Sequence, residues 1–461
     1  MKLLQSSTKP FVVKNPFQIV SILLLLITLS GCKKFLDEKS VVSYSTPQQI
    51  SDLQALMDYY PALNTIDPPA GEISTGDYYL TNENWAALSS EYYRRLYTWE
   101  RTNVFEPKNN DWQYGYAAIN IANTVLDNIN TVDPGNDIAQ LNNVQGQALF
   151  FRAKNFLQLA TLFCPAYDAA DQGKNLGLPL RLNSNFNEAS VRSSVEETYE
   201  RVVKDLKNAL LLLPTSQTSL LRPSKAAAYG MLARAQLFKR DYTQAGLYAD
   251  SCLQLSNKLL DYNTLNPSAT YPVKKFNAEV IFETFMPAPA PINPSRAKID
   301  PALYASYQSN DLRKVIFFKN NNNGTFGFKG SYEGGIVLFT GLATDEMYLI
   351  RSESSARQGR VADALNDLNT LLKARWKGAY VPLAVTDKEE LISLILQERR
   401  KELLMRGLYW ADIKRLNKEG RAISLTRTVG AKTITLVPND SRFVLPIPED
   451  VIDLTGMPQN P

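Results

Sequence analysis

Two segments of the chain, 222–255 and 345–375, each combine two helical periods of apolar residues with a short polar turn between them. Small residues recur twelve positions apart in both segments, as Ala233 and Ala245 in the first and Ser352 and Ala364 in the second. Small side chains at such places let two antiparallel helices approach closely. We therefore predict two helical hairpins, which must stack on further helices because one hairpin cannot bury its apolar face alone.

Other segments indicate single helices of the same kind. Ser194 and Glu197 form a capping box, and an apolar stripe follows until Pro214. The segments 112–130 and 144–163 carry apolar residues at helical spacing. A hairpin of about 34 residues is typical of tetratricopeptide repeats, so the sequence predicts a mainly α fold with tetratricopeptide-like hairpins as its scaffold.

Three segments break the helical period with proline, glycine and asparagine: 60–84, 261–343 and 420–461. We predict that they form a loop-rich ligand-binding part containing short strands. The helical repeats are expected at about 46–60, 85–260 and 344–418, and the whole of 46–461 is expected to be a single body. Thr386 and Glu389 are expected to cap the helix that contains the charged run 398–402, whose charges lie on its exterior or form scaffold ion pairs.

The N-terminus reads as an export signal. Three lysines precede the apolar run IVSILLLLITLSGC at 19–32, which ends in small residues before a cysteine. The Leu-Ser-Gly-Cys junction resembles the lipobox of bacterial lipoproteins. We predict a cleaved signal peptide over 1–31, lipid on Cys32 and a tether over 32–45; the alternatives are a membrane anchor or a buried cysteine.

Composition excludes several classes of function. Without residues 1–31 the formal charge falls from +4 to +1, which removes the main support for nucleic-acid binding. The chain has no histidine, and so lacks the commonest general base and metal ligand. Cys164 and Cys252 lie in apolar helical patterns, where buried free thiols are favoured over a single bridge. No metal or cofactor is predicted.

Phrases along the chain resemble the SusD/RagB family of outer-membrane nutrient-binding lipoproteins. They include CKKFLDEKS, STPQQISDLQALMDYY, YAAINIAN, RPSKAAAYGMLARAQLFKRDYTQA, LILQERRKELLMRGLYWADIKRLN and LPIPEDVIDLTGMPQNP. One departure is Arg406, where many relatives have an acidic residue before the glycine. The resemblance implies helices that cradle an irregular ligand-binding part, a lipid anchor facing the cell exterior, and a TonB-dependent SusC-like transporter as partner.

Aromatic residues are concentrated at 59–116, where thirteen occur, including three of the five tryptophans. Planar rings with a polar handle suit sugar faces and peptide side chains alike, although any one ring can instead pack a helix pair. Those in polar, loop-like surroundings are the better candidates for ligand contact. The predicted ligand-binding residues are Asp77, Tyr78, Tyr79, Asn82 and Trp85, with a second patch at Phe326, Phe328 and Tyr332.

The leading hypothesis is a surface lipoprotein of the outer membrane that captures an oligosaccharide or peptide and delivers it unchanged to the transporter. A structural helical-repeat lipoprotein that scaffolds other envelope proteins is the first alternative. A glycan-cleaving enzyme is the second, since two carboxylates suffice for that chemistry. Its candidate carboxylates are Asp77, Glu83, Glu91, Glu333, Asp345 and Glu346. We predict that the protein is not an enzyme.

Overall fold

The computed structural model describes residues 47–171 and 173–461, and helices predominate among them. The predicted signal peptide, Cys32 and the tether lie outside the described residues. The helices are α1 (Ile50–Met57), α2 (Tyr60–Leu63), α3 (Ala70–Ser74), α4 (Asn82–Ala86), α5 (Glu91–Tyr97), α6 (Asp111–Asn128), α7 (Ile138–Phe163), α8 (Val195–Leu212), α9 (Lys225–Lys239), α10 (Tyr242–Leu255), α11 (Pro301–Ala305), α12 (Arg313–Ile316), α13 (Thr344–Arg357), α14 (Val361–Lys373), α15 (Lys388–Glu402), α16 (Tyr409–Lys418) and α17 (Glu449–Thr455).

The strands are short and pair in twos, always antiparallel. They are β1 (Tyr78–Tyr79) with β6 (Lys298–Ile299), β2 (Leu176–Pro179) with β3 (Arg192–Ser194), β4 (Val280–Phe282) with β10 (Leu342–Ala343), β5 (Phe285–Met286) with β9 (Leu338–Phe339), β7 (Phe318–Asn320) with β8 (Phe326–Phe328), and β11 (Leu425–Val429) with β12 (Lys432–Leu436). The mainly α fold predicted from the sequence is confirmed.

Successive long helices pack against one another in the order α6, α7, α8, α9, α10, α13 and α14, and α15 packs on α13. Both predicted hairpins are present, as α9 with α10 and α13 with α14. Their four small residues are fully buried, and the Ser352 hydroxyl donates to the Ala364 carbonyl at 2.8 Å, so it bonds one helix to the next. The small residues at this spacing are therefore buried, and in the second hairpin they bond the two helices to each other.

The residues that cap α8 and α15 agree with the predicted caps at one helix and differ from them at the other. At α8 the capping box is confirmed: the Glu197 amide donates to Ser194 Oγ at 3.1 Å, and the Ser194 amide donates to the Glu197 carboxylate at 2.7 Å. At α15 the expected caps are wrong. Asp387 caps this helix by accepting from the Glu390 amide at 2.7 Å. It is the residue directly before the first helical residue, and aspartate is a favoured N-cap.

The charged run 398–402 forms ion pairs, and most of it lies inside the protein rather than on an exterior face. Glu398, Arg399, Lys401 and Glu402 are all buried. Arg399 Nε lies 2.8 Å from the Asp412 carboxylate on α16, and the other buried charges are paired in the same way. Among the described residues, no helix is both long enough and apolar enough to cross a membrane.

The buried hairpin contact gives a testable prediction. Ala364→Leu should lower the free energy of unfolding by about 1–3 kcal/mol, because the added atoms must displace α13. Ala362 lies on the exposed side of the same helix, so Ala362→Leu is the matched control and should change stability little. Urea denaturation of both variants measures the difference; equal midpoints would contradict the close packing.

Candidate functional site

The predicted site residues at 77–85 lie where β1 pairs with a strand from the long irregular segment. Tyr79 stands opposite Lys298, and Tyr78 opposite Ile299. Neighbouring residues of a strand face opposite sides, so Tyr78 is buried while Tyr79 remains half-exposed. The pairing thus brings one ring of the first predicted patch to the surface beside Lys298.

The second predicted patch lies close to this pair, because β8 packs beside β6. Phe326 is half-exposed and stacks on Tyr304 of α11, with ring centroids 3.6 Å apart and planes 14° apart. Phe318 packs edge-on against Tyr304 from beneath at 5.3 Å. The result is a pair of parallel rings supported by a buried ring.

Trp85 follows on α4 and packs partly against the core. The helix is held near β6 by Asn84, whose amide donates to the Arg296 carbonyl at 3.2 Å. Asn82 accepts from the Gly430 amide at 2.8 Å, so the turn between β11 and β12 meets the same loop. Three segments that are far apart in sequence therefore converge on this part of the surface.

We call Tyr79, Trp85, Tyr304 and Phe326 the aromatic face. Polar groups without partners accompany it. The guanidinium of Arg296 makes no hydrogen bond or ion pair within the described part of the chain, and the indole N–H of Trp85 is buried without an acceptor. Half-exposed rings beside the free Arg296 guanidinium can cover the apolar side of a ligand and bond its polar edge.

The other predicted site residues do not reach this surface. Asp77, Tyr78, Phe328 and Tyr332 are each at most 6% exposed. Asp77 accepts from Arg400 Nε at 2.8 Å, the Tyr78 hydroxyl donates to the Ile73 carbonyl, and the Tyr332 hydroxyl contacts the Glu279 carboxylate. These four residues are therefore buried, and the polar groups of Asp77, Tyr78 and Tyr332 bond to the interior.

Tyr304 and Arg296 were missed from the sequence. Both lie in the segment 261–343, which was expected to be irregular and functional, but neither has a local motif. Asp300 caps the short helix α11, with proline at its first position, and this start signal could have placed Tyr304 on one turn of helix. The contact of Tyr304 with Phe326 depends on the hairpin formed by β7 and β8, which the sequence did not predict.

Comparison with known proteins finds sequence similarity to SusD-like proteins. A SusD-like family model, described as "Starch-binding associating with outer membrane", matches residues 34–237. Two proteins of Formosa agariphila are each 31% identical to the chain: SusD-like protein P2 over 136 residues, and SusD-like protein P38 over 117 residues. These stretches cover 29% and 24% of this chain, but only 25% and 22% of the length of the two relatives.

Solved structures share the fold. A SusD superfamily protein from Bacteroides thetaiotaomicron has a TM-score of 0.73 at 20% identity, with 90% of this chain and 100% of that chain covered. A SusD-like carbohydrate binding protein from Bacteroides vulgatus has a TM-score of 0.64 at 22% identity, with 89% and 97% covered. The chain is therefore similar to SusD/RagB-like proteins, in sequence over part of its length and in fold over most of it. The likeness to the two structures concerns the fold alone.

The carboxylates considered for glycan cleavage are mostly committed to ion pairs inside this SusD-like fold. Asp345 lies 2.7 Å from Arg406, and Glu346 lies 2.6 Å from Arg234. Asp77 and Glu333 are likewise buried beside a cation. Glu83 and Glu91 stand in the first turns of short helices, where their charge suits the helix dipole. Groups held in this way stabilise the scaffold.

Three buried carboxylates, Glu279, Asp345 and Glu402, lie within 4.8 Å of one another. Such a cluster suggests a metal only where its charge is unbalanced. Here Arg375 lies 2.7 Å from Glu279 and 2.8 Å from Glu402, and Arg406 pairs with Asp345. Ion pairing with arginine therefore accounts for the cluster.

Both cysteines within the described ranges are free thiols and buried, as favoured from the sequence. Burial raises the pKa of each thiol to about 12, although Lys414 acts in the opposite direction on Cys164. A thiol with so high a pKa is uncharged at neutral pH. Neither is suited to nucleophilic chemistry.

Glu283 and Glu333 form a different kind of pair. Lys275 Nζ lies 2.7 Å from Glu333 and 3.6 Å from Glu283. Both carboxylate oxygens of Glu283, and one of Glu333, are buried with no hydrogen-bond donor in the described residues. Burial, and then the neighbouring Glu333, raises the pKa of Glu283 far above its ordinary value. Glu283 is therefore a neutral acid that can donate to Glu333.

This pair makes stability depend on pH. The folded protein keeps a proton on Glu283 that the unfolded chain releases above about pH 4.3, so the free energy of unfolding should fall as pH rises from about 5 to about 9. Glu283→Gln keeps the site neutral at every pH and should reduce this fall. The exposed Glu200→Gln should leave it unchanged. Urea denaturation across this range measures the slopes; identical slopes for wild type and Glu283→Gln would disprove the shared proton.

Proposed function

We propose that this protein is a cell-surface lipoprotein of the outer membrane that binds an oligosaccharide at the aromatic face. The observation that carries the proposal is the half-exposed stack of Phe326 on Tyr304, with Tyr79 and Trp85 on adjoining segments. Flat rings bury the C–H face of a pyranose, and nearby amides and a guanidinium bond its hydroxyl groups. The descriptions of the matching family and of the Bacteroides vulgatus structure support a sugar over a peptide.

The ligand would leave chemically unchanged. In this proposal a lipid on Cys32 holds the protein at the outer surface, and a TonB-dependent SusC-like transporter accepts the sugar. Binding by stacking and a few hydrogen bonds is weak and reversible, which suits a protein that must release its ligand. The buried, paired carboxylates support binding without hydrolysis.

Substitution of the aromatic face tests the binding step. The full chain, purified in a detergent whose head group is not a sugar, is titrated calorimetrically with neutral oligosaccharides chosen from a glycan array. Trp85→Ala and Phe326→Ala should each weaken binding about tenfold, because one stacked ring contributes roughly 0.5–1.5 kcal/mol beyond its buried area.

Trp376→Ala is the matched control. Trp376 is also half-buried, but it packs against Tyr380 outside the aromatic face, so its loss should leave affinity unchanged. Equal losses in the Trp85 and Trp376 variants would show an effect on folding and contradict the site. Binding of peptides but of no oligosaccharide on the array would contradict the ligand class.

The transporter is tested separately. The tagged full chain, isolated from its own outer membrane, should bring down a large barrel protein in near-equal amount. Recovery of envelope assembly factors instead would favour the scaffold alternative.

A further inference from the structure

A cavity separate from the aromatic face opens at the surface between α6, the segment 179–190 and the helix α17. Its volume is about 280 Å³, and no residue of the aromatic face lines it. Trp112 and Tyr116 of α6 form one wall, with ring centroids 4.8 Å apart, and Val451 and Met457 also line the cavity. The volume is at the lower limit of sites for drug-sized ligands, roughly 300–1,000 Å³, which suits a single ring.

A tightly bonded loop forms the edge of this cleft. Arg181 donates to the Glu188 carbonyl at 2.6 Å, and the amide and hydroxyl of Ser184 both donate to Asp127 at 2.7 Å. These bonds fix the loop on both sides of Phe186, whose side chain lines the cleft although it is 82% exposed. The loop keeps this large apolar ring exposed to water, so the ring would bury its surface only against a ligand bound in the cleft.

Several polar groups that line the cleft are unused. The indole N–H of Trp112, the side-chain amide of Asn120 and the hydroxyl of Ser190 make no hydrogen bond in 47–171 or 173–461. The other polar groups of the wall are occupied: the Tyr116 hydroxyl donates to the Pro179 carbonyl, and Asn123 bonds the loop backbone. Unused donors and acceptors around an apolar wall can bond a hydroxylated ring.

A guanidinium also lines the cleft. Arg181 lines it and bonds only backbone carbonyls, so it has no carboxylate within 4 Å in the described ranges and keeps unbonded N–H groups. Arg192 of β3, which does not line the cleft, likewise bonds only carbonyls. Two carboxylates nearby bond neutral groups of the loop: Asp127 of α6 accepts from Ser184, and Glu188 accepts from the Asn183 amide.

We propose that this cleft is a second binding site, for a single sugar ring that carries a carboxylate, that is, a uronic acid. The ring would lie between the Trp112–Tyr116 wall and Phe186, its carboxylate would pair with Arg181, and its hydroxyl groups would bond Asn120 and Ser190. The site is independent of the aromatic face and of the function proposed above.

Calorimetric titration of the full chain, in the same sugar-free detergent, tests this site with D-glucuronate. D-glucose lacks the carboxylate, and benzoate lacks the hydroxyl groups. Glucuronate should bind with a dissociation constant of roughly 0.1–1 mM, and both other probes should bind at least tenfold more weakly. No glucuronate binding, or equal binding of glucose or benzoate, would overturn the assignment.

Two variants locate the bound acid. Arg181→Gln should weaken glucuronate binding at least tenfold, whereas Arg95→Gln, which also removes bonds to a neighbouring loop, should have no effect. Phe186→Ala removes an exposed ring that the fold does not need, so its loss of affinity cannot come from unfolding.

Trp85→Ala separates the two proposals, because it should weaken the neutral oligosaccharide and leave glucuronate unchanged. A loss of glucuronate binding in Trp85→Ala, or full binding in both cleft variants, would place the acid elsewhere and refute the cleft.

Discussion

Arginine side chains, buried together with their carboxylates, hold the irregular segments on the helical scaffold. Arg313 lies 2.6 Å from Glu398 and 3.0 Å from Glu402 of α15, and Arg375 joins Glu402 to Glu279 in the long irregular segment. Removing a charge from water is costly, and removing one partner of a buried pair typically costs 3–5 kcal/mol. Such a cluster is tolerated only when every member is paired, so these contacts allow one arrangement of segment on scaffold.

A buried arginine also sets the orientation of the aromatic face, here through backbone carbonyls and, among the described residues, without a carboxylate. Arg427 of β11 donates to the carbonyls of Ile73 and Thr75, and its guanidinium lies over the Tyr97 ring, 3.7 Å from the centroid. With the backbone before β1 fixed in this way, Tyr78 turns inward and Tyr79 outward. Binding costs less free energy when the rings are already held in position, because they need not be ordered by the ligand. The buried polar groups behind the aromatic face therefore increase its affinity for a ligand.

The helices could be predicted from the sequence because their signals are local. The apolar period, the Ser194 cap and the twelve-residue spacing of small side chains each lie within one or two turns of what they specify. The candidate site could be predicted only as a region. Whether Tyr78 or Tyr79 faces outward depends on pairing with Ile299, far along the chain, and Phe326 acquires its partner only when α11 is in place. The charged run 398–402 likewise gives no local sign that most of it is buried together with the residues that pair with it.

The arginines that hold the scaffold differ from those beside the two proposed binding sites in the partners of their guanidinium groups. Arg313 and Arg375 are fully buried and have carboxylates on two sides, so nothing remains for a ligand. Arg296, beside the aromatic face, has no partner in the described residues, and Arg181, in the cleft, has only two backbone carbonyls for its five N–H groups. A guanidinium next to apolar rings retains its charge and its unbonded donors at the cost of desolvation. At both places, a polar ring that bonds these free N–H groups would offset part of that cost.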